Sequence, residues 1–261
     1  MPELPEVEHA ARILRTAVLG KTVRNVRVLH RAQRRHLSPR AIARVRGARI
    51  VSVDRRGKHQ LLSLSTGDTL VVHFRMTGDW LVDDAAVPVS KYVRVAIELD
   101  DGVRVSLVDP RALSTVTLHR DGSTLLPALG PDPTDPSLGV ETLGDALSRR
   151  RVSIKVALLD QRVLAGVGNI YAAEALWLAR IDPRVIASSL SRARQARLLD
   201  AIRSVLAKAQ QRSAGRYRDD GVGRFEVYDR EGLPCSRCGT AVRRIVQAAR
   251  STYYCPYCQR R

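Results

Sequence analysis

The stretch LAGVGNIYAAEAL, residues 164–176, decides how the second half of this chain folds. Apolar residues recur at helical spacing on both sides of Gly166 and Gly168, which predicts two helices joined by a glycine turn, with Asn169 as the N-cap of the second. A helix start leaves backbone N–H groups unpaired, and glycines in front of it let an anion come close. An ordinary helical hairpin with a capping asparagine fits the same pattern. Composition tips the balance: 44 Lys and Arg stand against 26 Asp and Glu, a net charge of +18 spread over the whole length. Solubility asks only about 2 to 8 charges of a small domain, so the excess points to a polyanionic partner, nucleic acid before an acidic membrane. With Lys155 close by, phosphate binding at the turn moves ahead of the plain hairpin.

Outward from the turn, helical periodicity predicts helices at about 140–148, 152–163, 170–180 and 191–212. Before them, LPALGPDPTDPSLG (126–139) holds four prolines and two glycines and marks a domain boundary. The first half is different. Segments 22–29, 49–54, 59–65, 69–74, 92–99 and 103–108 are short and rich in Val, Leu and Ile. YVRVAIEL and VRVSLV alternate with period two, and DDG between them signals a hairpin. From Pro5 to Val18 the apolar positions Val7, Ala10, Ala11, Leu14 and Val18 predict a helix that stops near Gly20. The fold class is therefore α+β and multidomain: an N-terminal helix with an antiparallel β-sandwich, then a helical domain, then a cysteine-bearing tail. A chain of 261 residues that is 44% hydrophobic can bury a substantial core. Glu3, Glu6, Glu8, Arg12 and Arg15 leave no apolar signal core, and no run approaches the ~18 apolar residues of a membrane span. A cytoplasmic protein with no membrane partner is expected.

Cys235, Cys238, Cys255 and Cys258 form two C-x2-C pairs sixteen residues apart. That spacing lets two knuckles present four thiolates to one Zn2+, and a closed four-cysteine site makes the metal structural. Two disulfides are the alternative, disfavoured in a reducing compartment. GTAVRRIVQAARSTYY between the pairs reads as a hairpin whose Arg243, Arg244 and Arg250 can press on a phosphate backbone.

The opening MPELPEVE is read chemically. Removal of the initiator methionine leaves Pro2 with a secondary α-amine, whose pKa near 8 keeps it partly neutral and nucleophilic. Attack on a sugar C1′ gives an iminium that is charged without a proton and acidifies the C2′ hydrogens for β-elimination. Glu3 beside it can move protons. A helix that merely starts with proline and acidic residues fits the same letters.

Together these features resemble the Fpg/Nei family of formamidopyrimidine-DNA glycosylases and endonuclease VIII proteins. The resemblance runs from residue 2 to residue 259 and is carried by PELPEVE, RRGKHQLLSL, HFRMTG, DPR, LGPDP, IKVALLDQRVLAGVGNIYAAEAL, RSTYYCPYCQ and the four cysteines, in family order. It implies a base-excision repair glycosylase and AP lyase acting on double-stranded DNA with damaged bases or abasic sites. The implied layout is a catalytic β-sandwich (1–130), a helix-two-turn-helix domain (131–225) and a zinc finger (226–261). It implies a monomer, on bacterial nucleoid DNA. Pro2 would be the nucleophile, Glu3 the proton donor, Lys58 the proton donor in β-elimination, and Arg250 the phosphate grip that assists δ-elimination. Lys155, Asn169, Arg151 and Arg94 fall at DNA-binding positions. Met76 and Arg111 match residues that fill the hole left by an everted base. The family's DPRRFG reads DPRALS here, which puts Leu113 where phenylalanine is usual; leucine can still wedge a base step. PELPEVE and GVGNIYAAEAL favour the 8-oxoguanine and formamidopyrimidine branch. The rivals are an endonuclease VIII-like enzyme for oxidised pyrimidines, a silent damaged-DNA binder and a zinc-ribbon RNA binder.

Overall fold

The computed structural model describes residues 1–120, 129–211 and 225–260. It divides into two compact units, Met1–Pro2 with Glu6–Pro127, and Glu3–Pro5 with Ala128–Arg261.

The first unit takes most of helix α1 (Leu4–Val18) and strands β1 (Val23–Val28), β2 (Ile50–Arg56), β3 (His59–Leu64), β4 (Thr69–His73), β5 (Asp79–Asp84), β6 (Val93–Leu99), β7 (Val103–Val108) and β8 (Thr115–His119). They form two antiparallel four-stranded sheets, ordered β1-β6-β7-β5 and β2-β3-β4-β8. One core joins them: Val7, Ala11, Leu14 and Val18 of α1 are buried with residues such as Leu62, Leu70, Val95 and Leu107. The predicted DDG hairpin links β6 to β7, with Gly102 at φ +83°.

The period-two reading of β6 and β7 fails in one respect: the polar side chains on these strands are mostly buried too. Arg104 is 1% exposed and forks onto Asp83 at 2.9 and 2.7 Å, which satisfies a charge that burial alone would expel. Four elements lie outside the segments read from the sequence. β5 (DWLVDD) and β8 (TVTLH) are short strands with only three and two apolar residues. Helices α2 (Arg31–Arg34) and α3 (Pro39–Val45) are held by local caps: the Ala32 N–H donates to His30 Nδ1, and the Ala41 N–H donates to Ser38 Oγ.

The second unit holds α4 (Val140–Ser148), α5 (Ile154–Leu159), α6 (Asn169–Leu178), α7 (Arg192–Gln211), and the hairpin β9 (Arg243–Gln247) and β10 (Arg250–Tyr254). Leu4, Leu143, Leu158, Ile170, Leu176 and Leu199 share its main core. α5 is shorter than 152–163 because the Asp160 carboxylate takes the Arg162 N–H and turns the chain. Of the boundary stretch, residues 129–139 are described. The Gly130 N–H donates to the Gln161 carbonyl and the Ala165 N–H to that of Pro131, which fastens the proline-rich segment to the helices.

Candidate functional site

The glycine turn before α6 comes within hydrogen-bonding reach of the chain's own start. Gly168, not Asn169, is the N-cap; Asn169 is the first helical residue. The N–H groups of Ile170 and Tyr171 donate to the Glu3 carboxylate at 2.9 and 3.3 Å, and the Leu4 N–H donates to the Gly166 carbonyl at 3.1 Å. Two of the N–H groups at this helix start, those of Ile170 and Tyr171, are therefore taken by Glu3. Glu3 is 1% exposed, and the positive helix end stabilises its carboxylate. A Cβ on Gly168 would lie 2.3 Å from Glu3 Cδ; one on Gly166, whose φ is +94°, would lie 2.8 Å from Leu4. Both glycines give the N-terminal segment room.

Asn169 turns elsewhere. Its Oδ1 accepts from Lys155 Nζ at 2.6 Å, and its Nδ2 donates to the Ser251 carbonyl at 2.9 Å. Lys155 Nζ also reaches Thr252 Oγ1 at 3.4 Å. Lys155 is fully buried, and burial lowers its pKa to about 8, the Glu3 charge opposing the shift and Arg250 adding to it. The lysine anticipated at a DNA phosphate thus ties α5 to α6 and to the finger hairpin, while half-buried Asn169 keeps partial access to solvent. Arg151 is exposed just ahead of α5.

Glu174, missed in the sequence, is the lone charge in apolar α6. It is 5% exposed and accepts N–H bonds from Glu226, Val227 and Tyr228 at 2.9, 3.0 and 2.9 Å. Burial raises its pKa against the pull of those donors. It thereby pins the segment entering the finger; the loop 214–224, a candidate for closing over the base, lies outside the described residues.

The sulfurs of Cys235, Cys238, Cys255 and Cys258 all lie within 4.8 Å of one another. Thiolates at ~2.3 Å from zinc in a tetrahedron stand about 3.8 Å apart, so the four fit one Zn2+. Trp177 of α6 donates its Nε1–H to Cys235 Sγ at 3.4 Å, and the Arg237 guanidinium sits 4.0 Å from the centre of the Trp177 ring. Exposed Arg250 opens β10 after Ala248 and Ala249, which both adopt positive φ, +48° and +57°. Chelating the zinc is expected to unfold the finger and abolish tight DNA binding while the helical circular dichroism of the rest persists. Trp177→Phe, which deletes the N–H···S bond and shrinks the ring under Arg237, is expected to speed zinc release to a colorimetric chelator by about tenfold. An unchanged release rate would show that neither the bond nor the larger ring holds the metal.

In the first unit, Lys58 is 7% exposed and follows Gly57, whose φ is +57°, in the turn from β2 to β3. Next to it His59 pairs across the sheet with His73, their rings edge to face at 4.6 Å. Burial, His59, Arg75 and Lys58 hold the His73 pKa down to about 3, so the ring stays neutral.

Asp109 of the DPR motif organises the wedge candidates. Fully buried, it accepts from the Thr77 hydroxyl and from the N–H groups of Arg111, Leu113 and Ser114 at 3.2, 2.7 and 2.7 Å. Burial would raise its pKa, but the bonds from Thr77, Ser114 and Leu113 outweigh it and hold the carboxyl below its ordinary value. One carboxylate thus ties the loop carrying half-buried Met76 to the loop carrying exposed Arg111 and Leu113, the latter 44% exposed.

Arg94, expected at a DNA-binding position, is held by the protein's own backbone. It is 8% exposed and donates to the carbonyls of Asp109, Lys91 and Pro110 at 2.6, 3.2 and 3.2 Å. Its guanidinium shapes the loop that carries Arg111 and Leu113.

A β-sandwich unit, a helical unit and a four-cysteine finger bearing arginines, with a net charge of +18, define a basic zinc-finger protein suited to nucleic acid. Comparison with known proteins makes this specific. Residues 1–116 match the formamidopyrimidine-DNA glycosylase N-terminal domain, 129–220 its H2TH domain, and 232–261 the zinc finger found in FPG and IleRS. The formamidopyrimidine-DNA glycosylase of Chloroflexus aggregans is 45% identical over 275 residues, covering 99% of this chain and 98% of that protein. MutM in complex with DNA containing carbocyclic 8-oxo-G superposes with a TM-score of 0.90 at 30% identity, covering 100% of both chains. Lactococcus lactis Fpg with abasic-site DNA gives 0.90 at 28% identity, over 99% of this chain and 100% of that one. The chain belongs to the formamidopyrimidine-DNA glycosylase family, whose members are DNA glycosylase/AP lyase enzymes.

Proposed function

We propose that this protein excises oxidised purines, 8-oxoguanine and formamidopyrimidines, from double-stranded DNA and then cleaves the strand by β,δ-elimination. The observation that carries the reading is the buried Glu3 carboxylate, clamped by two N–H bonds at the α6 start one residue after Pro2. With Met1 removed, the Pro2 nitrogen attacks C1′ as the bond from C1′ to the base breaks; the base leaves with a proton and the amine gives one up. The C1′–O4′ bond then opens, O4′ taking a proton, and an iminium joins Pro2 to C1′. Glu3 is the proton carrier beside the amine. The resulting iminium draws electrons from C2′, a C2′ proton departs and the 3′ C–O bond breaks. Lys58 supplies a proton in that elimination, and Arg250 grips phosphate for the second one. Met76, Arg111 and Leu113 occupy the space of the everted base. The zinc holds the finger hairpin in shape and takes part in no bond change. The protein works as a monomer on nucleoid DNA in the bacterial cytoplasm; its relatives are bacterial, and no helix among the described residues is long and apolar enough to cross a membrane.

The purine assignment is supported by relatives bound to 8-oxo-G and Fapy-dG DNA. Single-turnover base release is expected to be fastest from a duplex carrying 8-oxoguanine opposite cytosine, and much slower from a matched oxidised pyrimidine. Preference for the pyrimidine would move the chain to the endonuclease VIII branch. Binding without base release from either would make it a silent damage binder.

A further inference from the structure

Residues 9–53 hold twelve Lys and Arg and no Asp or Glu, although 26 of the chain's 261 residues are acidic. Carboxylates from elsewhere answer four of the twelve: Glu8 pairs with Arg12, Asp101 with Lys21, Glu98 with Arg27 and Asp68 with Arg44. Arg15 donates to the Val53 carbonyl and Arg46 to the Asn25 side chain. The remaining six, Arg24, Arg31, Arg34, Arg35, Arg40 and Arg49, are exposed and carry no ion pair among the described residues.

Their placement matters as much as their number. Arg31 and Arg34 lie on α2 and Arg35 is its C-cap. Between them, fully buried Gln33 donates its side-chain N–H to the Ser114 carbonyl, and the Leu29 N–H just ahead of α2 donates to the Arg94 carbonyl at 2.9 Å. α2 is therefore fastened to the same loop that Asp109 and Arg94 shape around Arg111 and Leu113. A solvated guard for edge strand β1 accounts for Arg24. It does not account for arginines on α2 and at the start of α3, off the strand. Nor does it explain a single sign of charge, since mixed charges guard an edge with less self-repulsion.

We propose that the α2–α3 arginine surface is a phosphate track for the duplex flanking the lesion, with Arg31, Arg34 and Arg35 gripping backbone phosphates beyond those reached by the wedge loops. The proposal rests on DNA as the substrate of this family. It extends the footprint of the enzyme without adding base recognition, because phosphate contacts position the protein and carry no sequence information.

The test measures fluorescence anisotropy on a duplex carrying a tetrahydrofuran abasic analogue. It compares the wild-type chain with the triple variant Arg31→Gln, Arg34→Gln, Arg35→Gln across a salt series. The variant is expected to bind more weakly at low salt, with a log–log salt slope shallower by about 0.9 for each phosphate that it no longer neutralises. Shortening one flanking arm of the duplex should then weaken the wild type while leaving the variant's affinity nearly unchanged. Thermal unfolding checks that the variant is folded, and Arg34→Gln alone, with an intermediate slope, serves if it is not. Equal affinities and equal slopes for variant and wild type would overturn the proposal and leave an acidic protein surface as the fitting partner. Failure of the wild-type chain itself to bind the abasic duplex would instead overturn the DNA reading, and this track with it.

Discussion

Replacing Pro2 by glycine is expected to lower borohydride-trapped adduct on 8-oxoguanine duplex by about a thousandfold, equivalent to about 4 kcal/mol of transition-state stabilisation. The secondary amine of proline gives an iminium that is cationic as formed. The primary amine of glycine gives a neutral imine that must first gain a proton, and its freer backbone no longer aims the nitrogen. A chain that keeps Met1 presents no amine on Pro2 at all and should trap nothing. An α-amine with a pKa near 8 is protonated in acid, so trapping by the wild type should rise with pH through neutrality as the nucleophile is freed. Undiminished trapping by the Met1-retaining chain would remove Pro2 from the chemistry and return the search for the amine to Lys58.

Much of this molecule can be read locally. The β6–β7 hairpin announces itself because alternation and a DDG turn coincide, and the metal centre because four thiolates come at ligand spacing. β5 and β8 stay silent because they hold only three and two apolar residues, and α2 and α3 because their caps, not an apolar stripe, define them. The partners of the site residues are hidden for another reason. Glu3 meets residues 167 and 168 positions away, and Asn169 meets Ser251. No window of sequence contains both ends of such a bond. Asparagine at a helix start usually caps it, which is why Asn169 misleads. Here Lys155 and Ser251 hold its side chain, and the carboxylate of Glu3 takes over the N–H groups. Arg94 hides its partners in the same way: nothing in an alternating strand shows that its guanidinium donates to the carbonyls of Asp109 and Pro110.

Substituting Gly168 by alanine is expected to disable base removal nearly as thoroughly as losing Glu3. The backbone at Gly168 is extended, φ −133°, and any residue adopts it, so the requirement is space and not conformation. The new Cβ would stand 2.3 Å from Glu3 Cδ and 2.4 Å from its Oε1. Glutamate is flexible enough to swing away, so the fold survives, but the carboxylate leaves its two donors. The freed Ile170 and Tyr171 N–H groups belong to residues that are each 3% exposed. Unsatisfied buried donors cost about 1–3 kcal/mol each, and a misplacement of about 1 Å near the reacting atoms costs about a hundredfold in rate. Single-turnover base release should fall by at least that factor, with a lowered unfolding midpoint. A double-mutant cycle separates this cause from a general perturbation of α6. In a Glu3→Ala background there is no carboxylate to displace, so Gly168→Ala should lower the midpoint far less than in the wild type. If the two drops are equal, the close approach of Glu3 to Gly168 is not what the glycine serves, and the placement of the proton carrier must be sought in the hydrogen bond of Leu4 to Gly166 instead.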